Sequence, residues 1–81
     1  MKNTLIKTLD LHGETGDVSR FLVKDFIEEA YVMKLPKVSI IHGGGVTLRL
    51  VVNDVLKNHP KVKSYKLNYF NGGETIVEIN L

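Results

Sequence analysis

Two alternating periodicities constrain this chain more than any other feature. Short runs with the two-residue repeat of a strand are separated by two stretches with the three-to-four spacing of an amphipathic helix. Residues 5–11 read as a strand with Leu5, Leu9 and Leu11 on one face. Residues 17–34 read as a helix whose apolar face is Val18, Phe21, Leu22, Phe26, Ile27, Ala30 and Met33. Thr15 or Asp17 can cap its start, and Pro36 stops it. Residues 38–41 form a short β-branched run, expected to be a buried strand. Residues 46–58 repeat the helical spacing through Leu48, Val51, Val52, Val55 and Leu56. A weaker strand follows at 63–69, then a hairpin loop at 70–74. The last strand, 75–81, sets Thr75, Val77, Ile79 and Leu81 on one face.

The element order is therefore β-α-β-α-β-β. Helical connections make the first three strands parallel, with right-handed crossovers, and the hairpin makes the fourth antiparallel. A chain of 81 residues is one domain, spanning 1–81, with a small core. Both helices must then cover one sheet face to seal it. The expected fold class is an α/β two-layer sandwich.

Composition removes several function classes. There is no cysteine, so disulfides, thiolate nucleophiles and the usual zinc and iron–sulfur sites are excluded. No apolar run approaches the length of a membrane span, and the N-terminus lacks the pattern of a signal peptide. A cytoplasmic location without a membrane partner is expected. The net charge of +2 permits a polyanionic partner without requiring one. Five of the eleven basic residues fall between Arg49 and Lys66: Arg49, Lys57, Lys61, Lys63 and Lys66. Tyr65, Tyr69 and Phe70 are assigned to core and hairpin packing, and no aromatic stacking platform is read from the sequence.

In open α/β sheets, ligands bind outside the C-terminal ends of parallel strands. That edge carries Asp10, His12 and Gly13 after the first strand, and His42, Gly43, Gly44 and Gly45 after the second. The glycines lead into a helix, whose first N–H groups lack internal partners and carry partial positive charge. Such a turn suits a phosphate, and it equally serves as a tight strand-to-helix connection. Asp10 and His12, two apart, are expected on one strand face, where a carboxylate can hold an imidazole's tautomer. Alternatively, Asp10 bonds the neighbouring turn. His42 is either catalytic or a partly buried structural histidine. A two-metal phosphodiesterase needs several convergent carboxylates. Here only Asp10 is placed at the edge, with Glu14, Asp17 and Glu74 as candidate neighbours. Hydrolysis would thus rest on histidine acid–base chemistry and backbone N–H groups, with one divalent ion, Mg²⁺ or Mn²⁺, as a candidate cofactor.

Leu9-Asp10-Leu11-His12-Gly13 resembles the LDLHG motif of Smr (small MutS-related) domains. Ile40-Ile41-His42-Gly43-Gly44-Gly45 resembles their second motif, HGxG before a helix, and Leu48-Arg49 resembles a leucine–arginine pair in that helix. Residues 56–62 resemble the family's helix exit, and Gly72-Gly73-Glu74-Thr75 its glycine-rich hairpin. The family often has a lysine where this chain has Gly44. Its second motif and its hairpin are also longer. The resemblance implies a fold similar to the C-terminal domain of translation initiation factor 3, with strand order 1-2-4-3. It implies an endonuclease that nicks DNA or cleaves RNA, and some family members associate with ribosomes. It places Asp10, His12 and His42 as catalytic candidates, and Gly13, Gly43, Gly44, Gly45 and Arg49 as candidates for binding phosphate or nucleic acid. A non-catalytic nucleic-acid- or ribosome-binding module is the alternative.

Overall fold

Val38 and Ile40 are fully buried, while Lys37 just before them is exposed, so the strand they lie in turns one apolar face onto the core. The computed structural model describes residues 6–81. Its elements are β1 (Lys7–Asp10), α1 (Gly16–Val32), β2 (Lys37–Ile41), α2 (Val46–Lys57), β3 (Val62–Asn68) and β4 (Asn71–Ile79). They form one four-stranded sheet in the order β1-β2-β4-β3. β1 and β2 are parallel, and β4 runs antiparallel to both of its neighbours. The two-layer α/β sandwich and the 1-2-4-3 order are as expected. Leu5, assigned to the first strand, lies outside the described residues.

Both helices contribute to a single core. Val23, Phe26, Ile27 and Ala30 of α1 and Val52, Val55 and Leu56 of α2 meet Leu11, Val38, Ile40, Val77 and Ile79 from the sheet side. The buried face of α1 is rotated from the expected one. Ser19 and Val23 are inside, whereas Val18, Phe21 and Met33 are exposed. The apolar set of α1 is wider than the stripe the sheet and α2 cover, so periodicity alone could not choose its centre.

The helix ends follow local chemistry. Thr15 caps α1, its hydroxyl accepting from the Val18 N–H at 3.3 Å. α1 closes with the Leu35 N–H donating to the Ala30 carbonyl and the Lys34 N–H to that of Tyr31, both at 3.0 Å. This is a Schellman arrangement with Lys34 at φ 59°.

The connection from α2 to β3 is tied to α1 by side chains. The Lys61 ammonium lies 2.7 Å from the Glu28 carboxylate and 4.5 Å from the centre of the Tyr31 ring, and His59 Nε2 is 3.3 Å from the same carboxylate. The hydrogen bond from Lys61, with the charges of Lys61 and His59, holds Glu28 below the usual carboxylate range against a smaller opposing effect of burial. A depressed folded pKa means the contribution is present above the unfolded value and is lost as pH falls through the folded one. In an NMR titration, Glu28 should therefore titrate below an unstructured glutamate, and Lys61→Ala should move its midpoint upward. An unchanged midpoint in that variant would remove Lys61 as the cause.

The main correction concerns the hairpin. The expected loop at 70–74 is in fact a two-residue turn, Tyr69-Phe70, because Asn68 pairs with Asn71 and β4 starts there. Short polar side chains shape the turn: Asn68 Oδ1 accepts from the Phe70 N–H at 2.9 Å, and Asn71 Oδ1 from the Gly73 N–H at 3.0 Å. Gly72 and Gly73 thus belong to the strand.

Candidate functional site

Asp10 is the last residue of β1. Its partner across the parallel pair is Ile41, the last residue of β2, so both strands end at one level. Beyond them, the Leu11 N–H still donates to the Ile41 carbonyl at 2.8 Å, and Leu11 is fully buried. The chain then turns: the Glu14 N–H donates to the Leu11 carbonyl at 3.0 Å, with Gly13 at φ 82° in the third position of the turn. A positive φ there selects glycine. His12 occupies the turn's outer corner and is exposed.

Asp10 and His12 consequently do not share a strand face, which corrects the sequence expectation. The strand stops at Asp10, and the carboxylate Oδ1 accepts from the backbone N–H of His12 at 2.9 Å. Asp10 thus braces the turn that presents the imidazole.

His42 is built quite differently. It is 4% exposed, and both ring nitrogens are engaged. Nδ1 is 2.9 Å from the Gly43 carbonyl, and Nε2 is 2.8 Å from the Thr75 hydroxyl. A carbonyl can only accept, so Nδ1 carries the proton, and in the neutral ring Nε2 accepts from Thr75. The free lone pair that a general base requires is occupied. His42 ties the second glycine turn to β4, the geometry of a structural histidine.

The backbone reinforces that tie. The Gly73 carbonyl accepts from the N–H groups of both His42 and Gly43 at 2.9 Å. Gly43 has φ +81°, and its backbone passes so close to Gly73 that a Cβ on Gly73 would lie 3.0 Å from the Gly43 carbonyl carbon. The glycine turn is thus held from one side by β4 and left open on the other, since Gly43, Gly44 and Gly45 are all exposed.

α2 starts at Val46 with Gly45 as its N-cap, no side-chain cap bond and no acidic residue in its first turn. α1, by contrast, has both a threonine cap and Asp17 in its first turn. The start of α2 thus keeps its N–H groups and positive potential available to an anion. Arg49 lies one turn further along. It is half-buried and borders a groove of about 400 Å³ with Asn53, Tyr65, Lys66, Leu67 and Thr75.

The acidic neighbours are only partly brought in. Glu74 pairs with Ile41 from the other side, so it is level with Asp10, but its carboxylate is bonded to the Ser39 hydroxyl and, at 2.7 Å, to the Asn68 amide. Glu14 and Asp17 are exposed beyond the first turn. Among the described residues, no group of three His, Asp or Glu side chains could hold a metal ion.

Thr75 was the residue sequence reasoning passed over. It was assigned to the core face of the last strand, which is correct, but its hydroxyl is what engages His42. A threonine in an otherwise apolar alternation of Val77 and Ile79 was the available signal.

Comparison with known proteins agrees with this architecture. The Smr domain family matches residues 9–81. Endonuclease MutS2 of Clostridium novyi (strain NT) is 38% identical over 76 residues, covering 91% of this chain and 10% of that protein. Endonuclease MutS2 of Clostridium botulinum (strain 657 / Type Ba4) is 41% identical over 76 residues, covering 89% and 10%. The chain thus spans about a tenth of the length of these relatives. The crystal structure of the Smr domain of Thermus thermophilus MutS2 superposes with a TM-score of 0.84 at 28% identity, covering 91% of this chain and 98% of that one. YdaL, a stand-alone small MutS-related protein from Escherichia coli, shares the fold with a TM-score of 0.87 at 24% identity, covering 99% and 69%. On the sequence match and the shared sheet order together, this chain belongs to the Smr domain family.

Proposed function

We propose that this chain acts on nucleic acid, DNA or RNA, as a phosphodiester-cleaving module. The observation that carries the reading is the juxtaposition, at one sheet edge, of an exposed histidine on a rigid turn and a helix start with no side-chain cap. The names of the endonuclease relatives support the same class of chemistry. In this reading, the N–H groups after Gly45 and the neighbouring glycine turn hold the scissile phosphate and favour the charge that develops on it. Arg49 adds positive charge one turn away. His12 moves the proton, as base toward water or as acid toward the leaving oxygen. Asp10 and Gly13 keep His12 at the corner of its turn. A divalent ion, Mg²⁺ or Mn²⁺, would be held chiefly by the phosphates of the substrate, with the exposed Asp10 carboxylate as its candidate protein ligand.

The engagement of both His42 nitrogens favours a second reading, a nucleic-acid- or ribosome-binding module without catalysis. Incubation with plasmid DNA and structured RNA, with and without Mg²⁺ or Mn²⁺, separates the two. Cleavage is expected from the native chain and should fall at least about a hundredfold in the Asp10→Ala/His12→Ala variant, with its thermal transition retained. Salt-dependent binding with no cleavage under any condition would select the binding module. Equal cleavage by the double variant would remove His12 from the chemistry.

A further inference from the structure

Tyr69 and Phe70 form the whole turn between β3 and β4, and they are 91% and 92% exposed. Large aromatic side chains are normally covered at least in part. Here two adjacent rings stand in solvent in an edge-to-face arrangement, with centroids 5.1 Å apart. Their base is firm. Asn68 Oδ1 accepts from the Phe70 N–H of the turn, its amide also bonds Glu74 at 2.7 Å, and Asn71 Oδ1 accepts from the Gly73 N–H at the start of β4. A few residues on, the Gly73 carbonyl clasps His42 and Gly43. β4 runs antiparallel to β2, so the turn projects beyond the same edge that carries the glycine turn.

We infer that this aromatic turn is a stacking site for an unpaired base of single-stranded nucleic acid. The inference rests on the nucleic-acid reading above and names the strand state that reading leaves open. The groove of about 400 Å³ bordered by Arg49, Asn53 and Lys66 starts one helical turn from the start of α2 and includes Leu67, at the foot of the hairpin. Its lining contains no acidic side chain. A groove carrying basic side chains, with exposed aromatic rings at the same sheet edge, is the combination that binds single strands without strong sequence preference. The rings are flanked along the chain by the polar Asn68 and Asn71 and by Gly72, which favours a nucleic-acid strand over an apolar protein partner.

The test compares three labelled probes with equal numbers of phosphates: a single-stranded oligonucleotide, the same strand made abasic, and a blunt duplex. The native chain should bind the base-bearing strand about tenfold or more tighter than the abasic one. Tyr69→Ala/Phe70→Ala should erase that preference and leave binding to the abasic strand and duplex unchanged. Phe70→Trp should retain the preference, with its indole fluorescence quenched on binding. Equal affinity of the native chain for base-bearing and abasic strands overturns the stacking site while leaving the phosphate reading intact. So does a native dimer in sedimentation that becomes monomeric in the double alanine variant without a change in strand binding. Failure of all three probes to bind at low salt would overturn both readings together.

Discussion

His42→Ala should destabilise the domain by about 2–4 kcal/mol, the sum of a lost buried side chain and an unpaired Thr75 hydroxyl. For a domain of this size, that lowers the midpoint of thermal unfolding by on the order of 10–20 °C. The expectation follows from a ring that is almost wholly covered and bonded at both nitrogens. Thr75→Val keeps the shape and removes the hydroxyl, leaving Nε2 without its donor, and should cost about 1–3 kcal/mol. Combined with His42→Ala, it should cost less than the sum of the two single changes, because no hydroxyl is then left facing a missing imidazole and no Nε2 facing a missing hydroxyl. Denaturant or thermal unfolding of the four proteins measures the cycle. If His42→Ala abolished cleavage while leaving the unfolding midpoint unchanged, His42 would instead act directly on substrate.

Gly73→Ala should be the most damaging change available in the hairpin. A Cβ there meets the backbone of Gly43 at 3.0 and 3.1 Å, and backbone yields less readily than a side-chain tip. Gly43 itself is at φ +81°, so its turn has little freedom to retreat. The expected cost is about 1–3 kcal/mol. Amide hydrogen exchange should become faster at His42 and Gly43, the two donors to the Gly73 carbonyl. Gly72→Ala is the matched control. A Cβ at Gly72 meets nothing within 4 Å, and its effect should stay within about 0.5 kcal/mol. Equal effects of the two substitutions would show that the clasp between β4 and the glycine turn contributes nothing.

The two sites that decide these outcomes differ in how far they could be read from the chain. The edge shared by Asp10, His12 and the glycine turn was legible because parallel strands joined by helices must end on one side of the sheet. The role of each histidine was not. A two-residue spacing suggested that Asp10 and His12 face each other, but a strand can stop at any residue, and here it stops one short of Leu11. His42 and His12 both follow strands that end at one level, but His42 is the first residue past β2 and His12 the second past β1. His42 falls at the level of buried Leu11 and bonds Thr75, thirty-three positions away, whereas His12 sits at the corner of an exposed turn.

The hairpin shows the same limit in the other direction. Gly72 and Gly73 read as loop because glycine is common in turns, whereas Gly73 is a strand residue that lacks a side chain because another backbone passes over it. The turn at Tyr69-Phe70 leaves both rings in solvent, where core and hairpin packing is expected from the sequence. Similarly, α1 had more apolar positions than one face of a helix can bury, and packing against the sheet and α2 chose Val23 over Phe21.

By itself, then, the sequence determined the element order, the sheet edge that holds the candidate site and the residues that reach it. These depend on local periodicity, on glycine and proline, and on the handedness of crossover connections, all of which act along the chain. Tertiary structure alone decided which histidine is buried with both nitrogens bonded, which is exposed, and which aromatic rings face solvent. Burial and hydrogen-bond partnership are properties of residues distant in sequence, and they exist only once β4 is inserted between β2 and β3.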